Sequence, residues 1–164
     1  MSLKNNLFSS KPKQIAQAAI QILLKVYGDL KSVNFLVISD MKLPIDIAQN
    51  FENAGLNKYL IFQDSLEKIF NQNNNNIDEN LINKLKNFDL IMIGYKTQSK
   101  IIDKILVKKI LNKRKQKPIL FVDCGIPGNI KTDIGQIPNC FLFDLNDLEQ
   151  LYSSWIQNNI INED

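Results

Sequence analysis

The stretch Ile119–Asp147, ILFVDCGIPGNIKTDIGQIPNCFLFDLND, decides the fold. It opens on Ile119 to Val122, a short apolar run introduced by Pro118, which has the length and composition of a strand buried on both faces. An Asp-Cys-Gly turn and a Pro-Gly loop follow, then a second short strand at Cys140 to Phe143. Asp144 or Asn146 starts a terminal helix carrying Leu148, Leu151, Tyr152 and Trp155.

Working outward, the same alternation fills the rest of the chain. Ile15, Ala18, Ala19, Ile22, Leu23 and Val26 recur at helical spacing behind Pro12, with Gly28 as a stop. Val33 to Ile38 reads as a strand, and Leu43 to Ala54 as a helix with Pro44 early and Gly55 at its end. Tyr59 to Phe62 and Phe88 to Ile93 are further strands. Helices are expected over Ser65 to Phe70, Asp78 to Lys86 and Ile101 to Leu111, the last with Ile101, Ile102, Ile105, Leu106 and Ile110 on one broad apolar face. Short apolar strands alternating with helices indicate an open parallel α/β sheet with right-handed crossovers.

Composition bounds the chemistry. The 164 residues are 45% hydrophobic, enough to bury the core of a single domain. No run approaches the roughly 18 apolar residues that span a bilayer, and MSLKNNLFSSKPK lacks the apolar centre of a signal peptide, so no membrane contact and a cytoplasmic location are expected. There is no histidine, which removes the commonest general base and metal ligand and excludes Ser/His and Cys/His nucleophiles. Cys124 and Cys140 lack CxxC spacing and read as small buried apolar residues; neither a metal site nor a disulfide framework is expected. Arg114 is the single arginine, so bidentate phosphate clamps are nearly unavailable. The tract Asn73 to Asn76 carries no functional weight. Nine basic residues between Lys96 and Lys117 (Lys96, Lys100, Lys104, Lys108, Lys109, Lys113, Arg114, Lys115, Lys117) face one acid, Asp103. They offer a patch for an anion or RNA, or simply a solvated helix face; with no aromatic residue between Ile101 and Lys117, nucleic acid is not the expected partner.

Gln14 to Leu151 resembles the NADPH-binding domain of glutamyl-tRNA reductase, together with the end of the helix that leads into it. The resemblance rests on IQILLKVYGDLKSVNFLVI, on AGLNKYLIF followed by DSLEKI, on NFDLIMI, and on RKQKPILFVDCGIPGNI with IGQIPNCFLFDLNDLEQL. The shikimate dehydrogenase superfamily is similar at a greater distance. The resemblance implies a Rossmann-like, doubly wound, mostly parallel sheet with helices on both faces. Residues 1–30 would form the leading helix, 31–147 the NAD(P)-binding-type domain and 148–164 a C-terminal helix. It also implies NADP or NAD as cofactor and a place in tetrapyrrole biosynthesis.

The family's cofactor positions are altered here. Where it carries a Gly-x-Gly-x-x-Gly turn, this chain reads Ser39-Asp40-Met41-Lys42-Leu43-Pro44, so Ser39, Met41 and Pro44 replace the three glycines. Where the family grips the ribose and its 2′-phosphate with an Asn-Arg-Thr type sequence, the chain has Gln63-Asp64-Ser65. This is either a polar turn capping the next helix or, through Asp64, a shift towards NAD. After the third strand, Tyr95 and Lys96 are bulky, while Thr97 remains a small polar residue. In the last loop Asp123, Gly125, Pro127 and Asn129 fit the family, but Gly128 stands where it has arginine. The family's catalytic cysteine and dimerising helices belong to domains this sequence does not contain, so no catalytic residue is expected. The expectation is a non-catalytic binding or scaffold module, with an NAD(P)-dependent component of a split reductase as the alternative. The expected partner is another protein or a second copy of the chain.

Overall fold

Each of the five apolar runs becomes a strand, because a parallel sheet covered on both faces admits few polar side chains. The computed structural model describes residues 11–62 and 79–163. The strands are β1 (Asn34–Ser39), β2 (Asn57–Phe62), β3 (Leu90–Gly94), β4 (Ile119–Asp123) and β5 (Cys140–Asp144). They form one all-parallel sheet in the order β2-β1-β3-β4-β5. The helices are α1 (Pro12–Tyr27), α2 (Lys42–Asn53), α3 (Glu79–Leu85), α4 (Lys104–Lys113) and α5 (Leu145–Glu163), with a 3-10 turn at Thr132–Gln136. The chain leaves β1 towards β2 and returns to β3 on the other side. The direction of winding therefore reverses between β1 and β3, where such sheets open a crevice at their carboxyl ends.

Side chains alternate across the strands and divide the core in two. Leu36, Ile38, Ile91, Ile93 and Phe121 pack with Ile82 and Leu85 of α3 and with Leu106, Val107, Ile110 and Leu111 of α4. On the other face Phe35, Val37, Met92, Leu120 and Val122 meet α1, α2 and Leu148 of α5. The α1 contribution is Ile15, Ala16, Ala18, Ala19 and Leu23, and its small alanines let the helix lie close between α2 and α5. It ends on Gly28, whose left-handed φ of 78° lets its N–H reach Leu24 O at 2.9 Å. This helix covers the sheet.

Two expectations need correction. The helix expected from Ile101 begins at Lys104, because the Asp103 side chain accepts from Leu106 N–H at 2.9 Å and caps it there. Ile102 instead makes an isolated parallel bridge with Ile130, and Ile105, expected on the apolar face, is 61% exposed. Of the two expected starts of the terminal helix, Asp144 is the cap: the helix runs from Leu145, with Asp144 Oδ1 accepting from Asp147 N–H and Asp147 Oδ2 from Asp144 N–H. The helix expected over Ser65 to Phe70 and the asparagine tract lie outside the described residues.

At the amino edge of the sheet a buried ion pair ties four elements together. Arg114 Nη2 lies 2.9 Å from Asp89 Oδ1, and both side chains are 3% exposed. Asp89 Oδ2 accepts from Asn34 N–H of β1 at 3.0 Å. Arg114 also donates to the carbonyls of Lys86, Phe88, Lys117 and Pro118, and the Tyr27 hydroxyl at the end of α1 donates to those of Asp89 and Pro118. Lys117 adds a second cation 3.2 Å from Asp89 Oδ1. Removing one partner of such a pair strands a charge in the interior. Arg114→Ala is expected to cost about 3 kcal/mol in urea denaturation, the lower end for a broken buried pair, because Lys117 still faces Asp89. A loss within the range of an exposed pair, under about 1 kcal/mol, would show that the clamp is not structural.

Candidate functional site

The carboxyl ends of β1 and β3 are register partners, Ser39 opposite Gly94, and they define the crevice where the winding reverses. Ser39 is fully buried. Its hydroxyl donates to Gly94 O at 2.7 Å and accepts from Met41 N–H at 2.9 Å, bridging the two strand ends and holding the turn into α2. Met41 is the residue before α2, extended at φ −102° and ψ 150°, and its side chain makes no capping bond. Pro44, in the first turn of α2, is buried. Its Cγ lies 3.0 Å from where a side chain on Gly94 would begin, as does Cys124 Cβ. The turns after β1, β3 and β4 thus pack directly on one another. Asp40 and Lys42 point to solvent; Lys42 pairs with Asp46 at 3.2 Å, an exposed contact of little energetic consequence.

The loop after β4 is built around the Asp123 carboxylate. Its oxygens accept from the N–H groups of Gly125 at 2.9 Å, Asn129 at 3.0 and 3.1 Å, and Ile130 at 3.0 Å. Asn129, fully buried, accepts from Tyr95 N–H with Oδ1 at 2.9 Å and donates to Ser99 O with Nδ2 at 3.2 Å. This joins the β4 loop to the one after β3. Gly125 is required there, because a Cβ would collide with the Asn129 side chain. The Ile126–Pro127 peptide bond is cis. Thr97 stays within its own loop, its hydroxyl accepting from Ser99 N–H at 3.4 Å.

Beside this loop a cleft of about 290 Å³ opens between the ends of β4 and β5, lined by Lys100, Asp123, Gly128, Thr132, Asp144 and Asp147 among others. Gly128, the position read as a lost arginine, has φ 152°, and a Cβ there would sit 3.3 Å from Lys100 Nζ. Lys100 therefore brings a cation from the neighbouring loop into the space that a residue-128 side chain would enter. Nothing in the sequence signals this substitution across 28 positions of chain.

The expected site residues thus fall in two groups. Ser39, Asp40, Met41 and Lys42 surround the crevice between β1 and β3, Asp123, Gly125 and Pro127 shape the cleft between β4 and β5, and Thr97 belongs to neither. Gln63, Asp64 and Ser65 lie outside the described residues. The lysine-rich segment is also divided. Arg114 is buried on Asp89, Lys117 faces the same carboxylate, and Lys104 Nζ donates to Gln136 Oε1 at 3.1 Å. Lys108, Lys109, Lys113 and Lys115 remain on the solvent side.

Neither cysteine is poised for chemistry. Burial, reinforced by the adjacent Asp123, pushes the Cys124 thiol far up, and burial alone pushes Cys140 up to about 12. No helix among the described residues is long and apolar enough to cross a membrane.

A family model described as shikimate / quinate 5-dehydrogenase matches residues 21–151, from the middle of α1 into α5. The chain belongs to this family. Among curated relatives it is similar to glutamyl-tRNA reductase of Rhodospirillum rubrum, 25% identical over 146 residues covering 86% of this chain and 34% of that protein. Glutamyl-tRNA reductase of Chloroherpeton thalassium is 27% identical over 146 residues, covering 85% and 33%. The chain spans about a third of the length of the curated relatives it matches. Glutamyl-tRNA reductase from Methanopyrus kandleri superposes with a TM-score of 0.69 at 16% identity, covering 88% of this chain and 38% of the other. One component of dipicolinate synthase, from Bacillus halodurans, reaches 0.52 at 9%, covering 82% and 45%. At these identities the two structures establish a shared fold. The Rossmann-like architecture and the resemblance to the reductase domain read from the sequence both hold.

Two measurements test this description. Ser39→Ala leaves Gly94 O and Met41 N–H without their shared partner and is expected to lower stability by about 1–3 kcal/mol in chemical denaturation; no change would show that the bridge is immaterial. In the folded protein Cys124 and Cys140 should resist a thiol reagent at pH 8 and react once unfolded. Because their folded pKa values lie above the unfolded one, their contribution is complete below about 8.5 and declines as pH rises beyond it. Rapid modification of the native protein would contradict the burial.

Proposed function

We propose that this chain is a reductase-type Rossmann domain whose dinucleotide site has degenerated, and that it works as a non-catalytic binding or scaffold module. The observation that carries this reading is the pairing of Ser39 Oγ with Gly94 O and Met41 N–H, with the Pro44 ring packed beside Gly94, at the carboxyl ends of β1 and β3. A pyrophosphate needs close approach to the turn and free N–H groups at the helix start. Here Met41 N–H is committed to Ser39 Oγ, Pro44 has no N–H to give, and its ring fills the space beside Gly94. Met41 puts a side chain at the position where the family has its second glycine, and Asp40 adds an acidic residue next to it. These residues do not fit a bound dinucleotide. What remains intact in the family pattern, Asp123, Gly125 and Asn129, is engaged in holding loops together.

A second reading, an NAD(P)-dependent component such as part of a split glutamyl-tRNA reductase, is supported by the family match and by the open cleft between β4 and β5. Thermal unfolding with NADPH, NADP and NAD separates the two. A ligand at 100 times its dissociation constant stabilises by about 2.7 kcal/mol, a rise in Tm that is readily measured. The lost-site reading expects no rise with any dinucleotide at millimolar concentration. A saturable rise with one of them would overturn it in favour of the second.

A further inference from the structure

Two of the six large apolar side chains exposed among the described residues, Phe141 (38%) and Leu151 (41%), lie on β5 and on the helix that lines a groove with it. That helix is α5. Tyr152 and Ile156 turn towards α1, where they line a groove with Ile15. On its other side Asp147, Gln150, Leu151 and Ser154 recur at helical spacing and line, with Leu142 and Phe143 of β5, a groove of about 540 Å³ facing outward.

The backbone of β5 is open on the same side. Among the described residues it pairs with β4 alone. In that ladder Ile119 N–H donates to Asn139 O, so the odd-numbered residues of β5 turn their polar groups inward and the even-numbered ones turn theirs outward. Two outward N–H groups are already used: Cys140 donates to Ile137 O and Asp144 to Asp147 Oδ2. Among the described residues Leu142 is left with an outward N–H and C=O. No charge, proline or bulge within Cys140–Phe143 protects this edge, although edges are ordinarily blunted by such devices.

We propose that a second copy of this chain docks here, β5 against β5, antiparallel about a two-fold axis at Leu142. The sequence is suited to itself. Phe141-Leu142-Phe143 is symmetric about its centre, so each Leu142 N–H meets the partner's Leu142 C=O, and each Phe141 lies across from the partner's Phe143, beside its Leu151 groove. That is the self-complementarity a two-fold interface demands. Phe141 and Phe143 share the face on which α5 lies, so Leu151 of the helix continues the contact. The lysines of α4 lie on the opposite face and bring no repulsion to it. The proposal is independent of whether a dinucleotide binds.

The test is sedimentation equilibrium of the full chain from low micromolar to near-millimolar concentration, with hydrogen exchange at the Leu142 amide. The wild type should reach twice the chain mass of 18.8 kDa. Phe141→Lys and Leu151→Lys should each return it to monomer with unchanged thermal melting, and Leu142 should lose protection in Phe141→Lys. A wild type that stays monomeric throughout, including one that takes up only an unrelated apolar peptide, would overturn the proposal. So would a dimer that survives both substitutions.

Discussion

The Asp89 carboxylate is the interaction on which the assembly of this sheet depends. It sits where β3 begins, accepts from the backbone of β1, and holds Arg114 and Lys117, which in turn fix the corner from α4 into β4. The Tyr27 hydroxyl brings the end of α1 to the same point. A buried charge is tolerable only when paired and hydrogen-bonded. Asp89 therefore sets the mutual positions of β1, β3, β4 and α1 wherever the chain is folded. The protein's one arginine is consumed in doing so, which withdraws from the ligand edge the side chain best suited to grip phosphate.

The carboxyl edge is organised on different terms. Charge is turned inward there: Asp123 spends both oxygens on the backbone of its own loop, and Asn129 carries that loop to the one after β3. Between β1 and β3 a single hydroxyl and a proline ring take the space that a glycine-rich turn would leave open. The family fold is kept, and on the function proposed above the surface that would face a dinucleotide is filled from within. Stability and ligand access compete for the same atoms at this point. The Ser39 bridge stabilises the strand ends and in doing so engages Met41 N–H, a donor of the kind a phosphate uses.

The sheet was legible in the sequence because burial on both faces leaves short, uninterrupted apolar runs, as at Leu36–Ile38, Leu90–Ile93 and Ile119–Val122. Helix starts were less so. Ile101 and Ile102 keep a helical period with Leu106, but the Asp103 side chain caps the helix later, and Ile102 pairs with Ile130 instead. The 3-10 turn at Thr132–Gln136 has no periodic signal. Losing three glycines could be read directly, yet the part Ser39 plays could not, because its partner Gly94 lies 55 residues away. The same distance problem hid the pairing of Asp89 with Arg114 and the approach of Lys100 to Gly128. Local pattern specifies elements; the contacts that decide the site join their ends.

The decisive measurement is an amide chemical-shift titration with NADPH, following Met41, Lys42 and Leu43 at the turn into α2 and Gly94 across from them. With Ser39 and Pro44 packed at the strand ends, the proposed loss of the site predicts that these amides keep their positions up to millimolar ligand. Saturable displacement of Met41, Leu43 and Gly94 together would show that the crevice opens to a dinucleotide, and would contradict the loss of the site.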